Sequence, residues 1–85
     1  MKNKIYYVYI AECNDGTLYT GYTHDLKRRL KEHNNSDKGA KYTSGRRPVK
    51  LVYSKELKSS ADAKVYEAVI KKLTRSEKLK LISKK

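Results

Sequence analysis

The sequence is poor in the residues that cross-link or anchor a protein. Its 85 residues include one Cys, one Pro and one Met, and neither Trp nor Phe. One cysteine cannot form an internal disulfide or a zinc cluster, so the chain suits a reducing compartment. No segment approaches the roughly 20 apolar residues of a membrane-spanning helix, and no signal-type apolar core follows the first residues. These absences predict a soluble, cytoplasmic protein without a membrane partner.

Acidic residues are also scarce. Nine Asp and Glu residues stand against 21 Lys and Arg residues, which gives a formal net charge of +12. So large a surplus in a short chain predicts a polyanionic partner. DNA, RNA and an acidic protein are candidates, and an anionic membrane surface is the weakest one. The length predicts a single domain over 1–85, with frayed ends at 1–4 and 83–85. Any active site must therefore be built from the strands and helices of that one domain.

Hydrophobic patterning predicts a small α+β domain with a three-stranded antiparallel sheet flanked by helices, in the order β-β-α-β-α-α. Aromatic and β-branched runs indicate strands at 5–10, 17–22 and 49–53. Three helices should begin near Thr23 or Asp25, Ser59 or Ser60, and Thr74 or Ser76, and end near Asn34, Leu73 and Ile82.

The turn between the first two strands decides which side chains share a face of the sheet. A three-residue loop with Gly16 in the left-handed conformation is a common hairpin type, and it would pair Tyr9 with Gly21. Tyr9 and Tyr19 would then be diagonal neighbours on one face, which Gly21 leaves clear for a ring. A two-residue turn would instead place Tyr19 opposite Glu12, on the other face.

Glu67 shares the helical spacing of the core-facing residues Ala63 and Ile70. A carboxylate at the edge of a core, in so basic a chain, needs a reason. From the residues alone, an ion pair with Lys71 or Arg29 is the simpler interpretation, and a metal ligand is the alternative.

The histidines and the cysteine allow simple structural interpretations. A lone His33 near a helix end is typically a surface or capping residue, although it shares a helix face with Arg29. Cys13 is interpreted as a small buried residue and not as a nucleophile. Zinc is disfavoured because His24 and His33 are the available histidines and Cys13 is remote from them in the pattern.

An ordered set of residues carries a family resemblance. The motifs Tyr7-Val8-Tyr9 and Tyr19-Thr20-Gly21 are followed by Arg29, then by His33 one helical turn later, and by Glu67 on a later helix. This set resembles the GIY-YIG nuclease superfamily across nearly the whole chain. The intervening segments 39–43, 45–48 and 51–53 resemble its short stand-alone bacterial branch.

The resemblance implies a divalent-metal-dependent endonuclease that hydrolyses DNA phosphodiester bonds, with Mg²⁺ or Mn²⁺ as cofactor. Glu67 would bind the metal, and this displaces the ion pair as the preferred interpretation. Arg29 would stabilise charge on the phosphoryl oxygens. Tyr9 or Tyr19 would orient or deprotonate the attacking water, and the choice between them stays open.

Supporting roles follow from the same resemblance. His33 would move a proton or hold a phosphate, and Tyr42 would add a further hydroxyl. The expected partner is double-stranded or branched DNA, with RNA as an alternative, in a role linked to repair or recombination. Cations near these positions in the sequence would form a phosphate-binding rim. They are Lys27, Arg28, Lys31, Lys38, Lys41, Arg46 and Arg47.

Two positions depart from the family motifs. Tyr7 stands where the first motif begins with Gly, and Thr20 replaces a larger aliphatic residue. Neither change removes a catalytic group. The alternative functions are a nucleic-acid-binding module of the same fold with little or no catalysis, and a basic RNA-binding protein without an active site. A carboxylate near phosphate favours the nuclease, because it repels phosphate unless a cation bridges the two.

Overall fold

Six elements in the order β-β-α-β-α-α form the described part of the chain, residues 5–35 and 45–83 of a computed structural model. The three strands make one antiparallel sheet in the order β2-β1-β3, which confirms the predicted fold class. None of the helices in these two ranges is long and apolar enough to cross a membrane. The elements are β1 (Tyr6–Glu12), β2 (Leu18–Thr23), α1 (Leu26–Asn35), β3 (Lys50–Leu57), α2 (Ser60–Lys71) and α3 (Arg75–Ser83).

The hairpin between β1 and β2 has the predicted three-residue loop. Gly16 has a φ of 85°, the left-handed region that glycine adopts without steric cost. Its amide donates a hydrogen bond to the Cys13 carbonyl at 2.9 Å, and Tyr9 pairs with Gly21 in the ladder. The register that brings Tyr9 and Tyr19 to one face is therefore confirmed.

The two faces of the sheet pack against different helices. On one face, α2 and α3 cover a core of Val8, Ile10, Tyr53, Ala63 and Ile70. On the other face, Leu26 and Leu30 of α1 pack on a second core of Tyr9, Ala11, Cys13 and Val49. The alternation of side chains along β1 produces this division. A residue on α2 therefore reaches the Tyr9 face only around the edge strand β2.

The predicted capping residues begin the helices. Asp25 accepts a hydrogen bond from the Arg28 amide at 3.1 Å in the first turn of α1, and Ser59 caps α2. Before α3, Thr74 and Glu77 satisfy each other's backbone amides, which is the reciprocal arrangement of a capping box. These caps satisfy amide groups that a helix leaves without intrahelical partners.

Several element ends differ from the sequence prediction by one or more residues, and two of them show the physical reason. The third strand continues past Tyr53 to Leu57 because its polar second half pairs with the first half of β1. Helix α2 ends at Lys71 and not at Leu73, since the Leu73 amide bonds the Ile70 carbonyl only three residues back. The hydrophobic pattern predicts which residues are buried. The ends of β3 and α2 are set instead by backbone hydrogen bonds, which the pattern does not predict.

Candidate active site

A phenol and an imidazole meet between β1 and α1. The Tyr9 hydroxyl lies 2.8 Å from His33 Nε2. Tyr9 is 3% exposed and His33 is 0% exposed, so the interpretation of His33 as a surface or capping residue is wrong. Burial raises the pKa of Tyr9 to about 12, and burial with the nearby Arg29 charge lowers the pKa of His33 to about 4. At neutral pH the pair is a neutral phenol bonded to a neutral imidazole.

Tyr19 completes a cluster of three rings with Tyr9 and His33. Its ring centroid lies 5.2 Å from that of His33 and 6.3 Å from that of Tyr9. Tyr19 is half-buried, whereas Tyr9 is buried. The hairpin therefore presents one enclosed phenol and one phenol with access to solvent.

Arg29 extends from α1 to the same cluster. Its guanidinium donates a hydrogen bond to Glu32 Oε1 at 2.9 Å, and a hydrogen bond from it to Tyr9 opposes the effect of burial on the Tyr9 pKa. Glu32 also accepts a bond from Arg28 Nε at 3.2 Å. The ion pair considered between Arg29 and Glu67 is not the one present, because the carboxylate paired with Arg29 is Glu32. Glu32 lies three residues after Arg29 and four after Arg28, and this helical spacing could have predicted the pairing from the sequence.

Glu67 reaches the site from α2. Its side chain is 19% exposed, and its charge is among the causes that raise the Tyr9 pKa. The ion pair with Lys71 that the helical spacing suggested is present, at 3.5 Å between Glu67 Oε2 and Lys71 Nζ. Lys71 is more than half exposed, and a pair of this kind contributes at most about 1 kcal/mol. The Glu67 carboxylate is thus close enough for its charge to act on Tyr9, and its own contact with Lys71 is weak.

The described cations of the predicted phosphate-binding rim lie in two places, on α1 and in the segment before β3. Lys27, Arg28 and Lys31 lie exposed along α1. Arg47 Nε donates a hydrogen bond to the His33 carbonyl at 2.6 Å, and Arg46 forms an ion pair with Asp15 at 2.8 Å. These two arginines join the segment before β3 to the ring cluster and to the hairpin. Three predicted site residues, Lys38, Lys41 and Tyr42, lie outside the described residues.

Asn34 is a further residue that the sequence did not single out. Its side-chain amide accepts a hydrogen bond from the Val49 amide at 2.6 Å and donates one to the Val49 carbonyl at 2.8 Å. These two hydrogen bonds resemble those between paired strands, and they fix the end of α1 against the start of β3. Because Asn34 follows His33 directly, these bonds also restrain the backbone that carries the imidazole.

Gly21 provides the space in which the two phenols approach each other. A Cβ atom there would lie 2.8 Å from the Tyr9 hydroxyl oxygen and 3.0 Å from Tyr19 Cε2. Gly21→Ala is therefore expected to lower the free energy of unfolding by roughly 1–3 kcal/mol, the usual cost of overpacking. Urea denaturation measures this loss. Gly45→Ala is the matched control, because a Cβ atom there meets no atom within 4 Å. Equal loss in both variants would contradict the close packing around Gly21.

Burial of His33 makes stability depend on pH. The pKa of His33 is about 4 in the folded protein against an ordinary value of 6.5, so the unfolded chain binds the proton more readily. Stability is then complete above about pH 6.5 and falls as the pH decreases toward 4, by up to about 1.4 kcal/mol per pH unit. Thermal denaturation from about pH 7 to about pH 5 should show this decline. His33→Gln should remove it, and parallel curves for both proteins would contradict the assignment.

Comparison with known proteins identifies the class. Residues 5–80 match the GIY-YIG catalytic domain. The chain therefore belongs to the GIY-YIG family, which is part of a nuclease superfamily. Among curated proteins it is 56% identical over 79 residues to a UPF0213 protein of Clostridium perfringens, covering 93% of this chain and 84% of that protein. It is 55% identical over 76 residues to a UPF0213 protein of Syntrophus aciditrophicus, covering 89% and 87%.

Solved structures give the same result. The solution NMR structure of a UPF0213 protein from Bacillus halodurans has 49% identity and a TM-score of 0.61, covering 95% of this chain and 85% of that one. A protein from E. faecalis, also solved by solution NMR, has 42% identity and a TM-score of 0.65, covering 99% and 90%. The fold and the sequence family therefore agree along nearly the full chain.

The donor set permits one kind of metal site. Within residues 5–35 and 45–83, no three His, Cys, Asp or Glu residues gather as a metal-binding group. Protein cages for Zn²⁺ or Ca²⁺ require such a group. Mg²⁺ keeps several waters and often binds one or two carboxylates together with substrate phosphate oxygens. The partly buried carboxylate of Glu67 fits that pattern, with phosphate supplying the other oxygens.

Proposed function

We propose that the protein is a divalent-metal-dependent endonuclease that hydrolyses phosphodiester bonds in DNA. The observation that carries the proposal is the convergence of four groups near Tyr9: the imidazole of His33, the tilted ring of Tyr19, the Arg29 guanidinium and the charge of Glu67. Binding alone would not require a carboxylate beside a phosphate site, because the two repel each other. We further propose selectivity for branched DNA in repair or recombination, because recognition would rest on cations that contact phosphates and not on base contacts.

The side chains divide the work of an in-line hydrolysis. Arg29, already held by Glu32, is suited to stabilise negative charge on the phosphoryl oxygens in the transition state. Glu67 would hold Mg²⁺ or Mn²⁺, which when bound supplies charge neutralisation at the scissile phosphate and at the leaving oxygen. Tyr19, the more exposed phenol, is suited to orient the attacking water. No covalent intermediate with the protein is needed.

Tyr9 and His33 together can accept the proton of the attacking water. With Nε2 unprotonated, His33 accepts the phenolic proton across the 2.8 Å hydrogen bond while Tyr9 Oη takes a proton from the water. The water becomes the hydroxide that attacks phosphorus, and the imidazole becomes cationic. The Tyr9 pKa of about 12 and the His33 pKa of about 4 both oppose this transfer in the free protein. The Arg29 charge favours loss of the phenolic proton but opposes a cationic imidazole, and the negative charge of a bound phosphate would stabilise that cation. Neutralising the Glu67 charge would remove one cause of the raised Tyr9 pKa.

The main alternative is a nucleic-acid-binding module with little or no catalysis. The raised pKa of Tyr9 favours this alternative, because at neutral pH the phenol keeps its proton and the phenolate that would act as the base is scarce. The two functions differ in the need for a divalent cation, since binding to phosphates requires only the basic surface.

A cleavage screen separates the two functions. Plasmid, linear duplex, branched DNA and RNA are incubated with the protein in Mg²⁺, in Mn²⁺ and in EDTA. We expect cleavage with either metal, faster on branched DNA, and none in EDTA. Binding at low salt without cleavage of any substrate would favour the binding module. Glu67→Gln, purified in parallel, controls for contamination, because equal activity in both preparations would assign the cleavage to another nuclease.

A further inference from the structure

A second group of cations lies on the α2 and α3 side of the sheet, away from the predicted rim on α1. We call Lys71, Arg75 and Lys78 the basic cleft. Arg75 Nη1 donates a hydrogen bond to the Gly16 carbonyl at 2.7 Å, so the start of α3 is fixed against the hairpin turn. Arg75 and Lys78 line an open cleft of about 200 Å³ together with Thr17 and Leu18.

Two of the three charges of the basic cleft, those of Arg75 and Lys78, are poorly compensated. Throughout the described part of the chain, no carboxylate forms an ion pair with Arg75 or Lys78. The nearby Glu77 accepts a hydrogen bond from the Thr74 amide at 2.8 Å as part of the helix cap. Burial and the neighbouring charge of Lys71 lower the pKa of Lys78. Cations held this close repel each other, and a bound anion would relieve that repulsion.

One lysine connects the basic cleft with the proposed metal ligand. Lys71 Nζ lies 3.5 Å from Glu67 Oε2, so the same lysine belongs to the cleft and contacts the proposed metal ligand. Strand β2 is an edge strand, with α1 on one face of the sheet and α2 on the other. Two sets of cations therefore lie on helices that pack on opposite faces of the sheet beside this edge.

We propose that the basic cleft binds the phosphate backbone of the DNA substrate, so that the nucleic acid crosses the sheet edge at β2. The identity of the partner rests on the proposed nuclease function. Lys and Arg neutralise phosphates, and Arg75 and Lys78 are the two cations that line the cleft. The contact between Lys71 and Glu67 favours nucleic acid over an acidic protein, because it connects the cleft with the proposed metal ligand.

The test is the salt dependence of DNA binding by Arg75→Gln/Lys78→Gln, which leaves the Lys71–Glu67 pair intact. Affinity for a short duplex is measured by fluorescence anisotropy in EDTA, between about 50 and 200 mM KCl. Each lost phosphate contact should reduce the slope of log K against log salt by about 0.9, or about 2 for the double variant. Lys50→Gln/Lys58→Gln, at the opposite edge of the sheet, should keep the wild-type slope.

Further variants and ligands make each outcome decisive. Arg75→Lys/Lys78→Arg keeps both charges and should keep the wild-type slope, and thermal denaturation verifies that each variant is folded. An unchanged slope in Arg75→Gln/Lys78→Gln overturns the inference even if the wild type cleaves DNA. A reduced slope in a protein that cleaves nothing supports the inference while the nuclease proposal fails. Weaker binding of polyglutamate alone, with DNA binding unchanged, overturns it in favour of an acidic protein. Absence of DNA binding by the wild type overturns both.

Discussion

Glu67→Gln is expected to lower the single-turnover rate of DNA cleavage by roughly 10³-fold, the upper range for loss of one transition-state contact. The amide keeps the size of the side chain and removes the charge that would hold a divalent cation. The variant should fold normally, because the Glu67–Lys71 pair is partly exposed and contributes little to stability. Quenched-flow or gel assays at saturating protein measure the rate.

The matched control for this prediction is Glu56→Gln. Glu56 is an exposed carboxylate on β3, so its substitution removes the same charge from the far edge of the sheet. Its cleavage rate should stay within about twofold of wild type, as for other exposed sites. In EDTA, Glu67→Gln should bind DNA at least as tightly as wild type, because one negative charge near the phosphates is gone. Equal rate losses in the two variants would contradict the proposed metal ligand, because any lost negative charge would then have the same effect.

Tyr9→Phe has the second large expected effect. Loss of the hydroxyl should slow cleavage by roughly 10²- to 10⁴-fold, the usual contribution of a positioned acid–base group. It also leaves the buried His33 Nε2 without its hydrogen bond to Tyr9, which should cost about 1–3 kcal/mol of unfolding free energy. Single-turnover cleavage and urea denaturation measure the two effects separately.

Tyr53→Phe controls for the loss of a phenol. The Tyr53 hydroxyl lies 3.0 Å from the Tyr66 hydroxyl, in the core on the other face of the sheet. Its removal should lower stability by a similar amount while leaving the cleavage rate of the folded protein unchanged. If Tyr19→Phe slows cleavage more than Tyr9→Phe does, the proton transfer assigned to Tyr9 and His33 belongs to Tyr19 instead.

Local chemistry explains what could be predicted from the sequence. The hairpin register depends on Gly16 within the turn and on the alternation of side chains along two short strands, all of it near in sequence. The helix starts depend on the nearby caps Ser59 and Thr74. The hydrogen bond between the Tyr53 and Tyr66 hydroxyls could not be predicted in this way, because Tyr66 lies on a helix that packs across the core.

The features that were missed depend on contacts between distant parts of the chain. The complete burial of His33 requires α1 to pack on Tyr9 of β1, and Arg75 meets Gly16 only after the whole sheet has formed. The partner of Arg29 was missed for another reason, since Glu32 was close in sequence but was not part of the motif. The roles assigned to Tyr9, Tyr19, Arg29, His33 and Glu67 stay predictions, and Lys38, Lys41 and Tyr42 lie outside the described residues.

The most direct test is a titration of isotopically labelled protein with Mn²⁺, followed by NMR. A bound paramagnetic ion broadens the signals of nearby nuclei, so it reports where the cation lies without requiring activity. We expect the amide signals of Tyr9, Tyr19 and Glu67 to broaden together, and Glu67→Gln to abolish this effect. Broadening centred on other carboxylates, such as Asp15 at the hairpin turn, with sharp signals around Glu67, would contradict the proposed metal site.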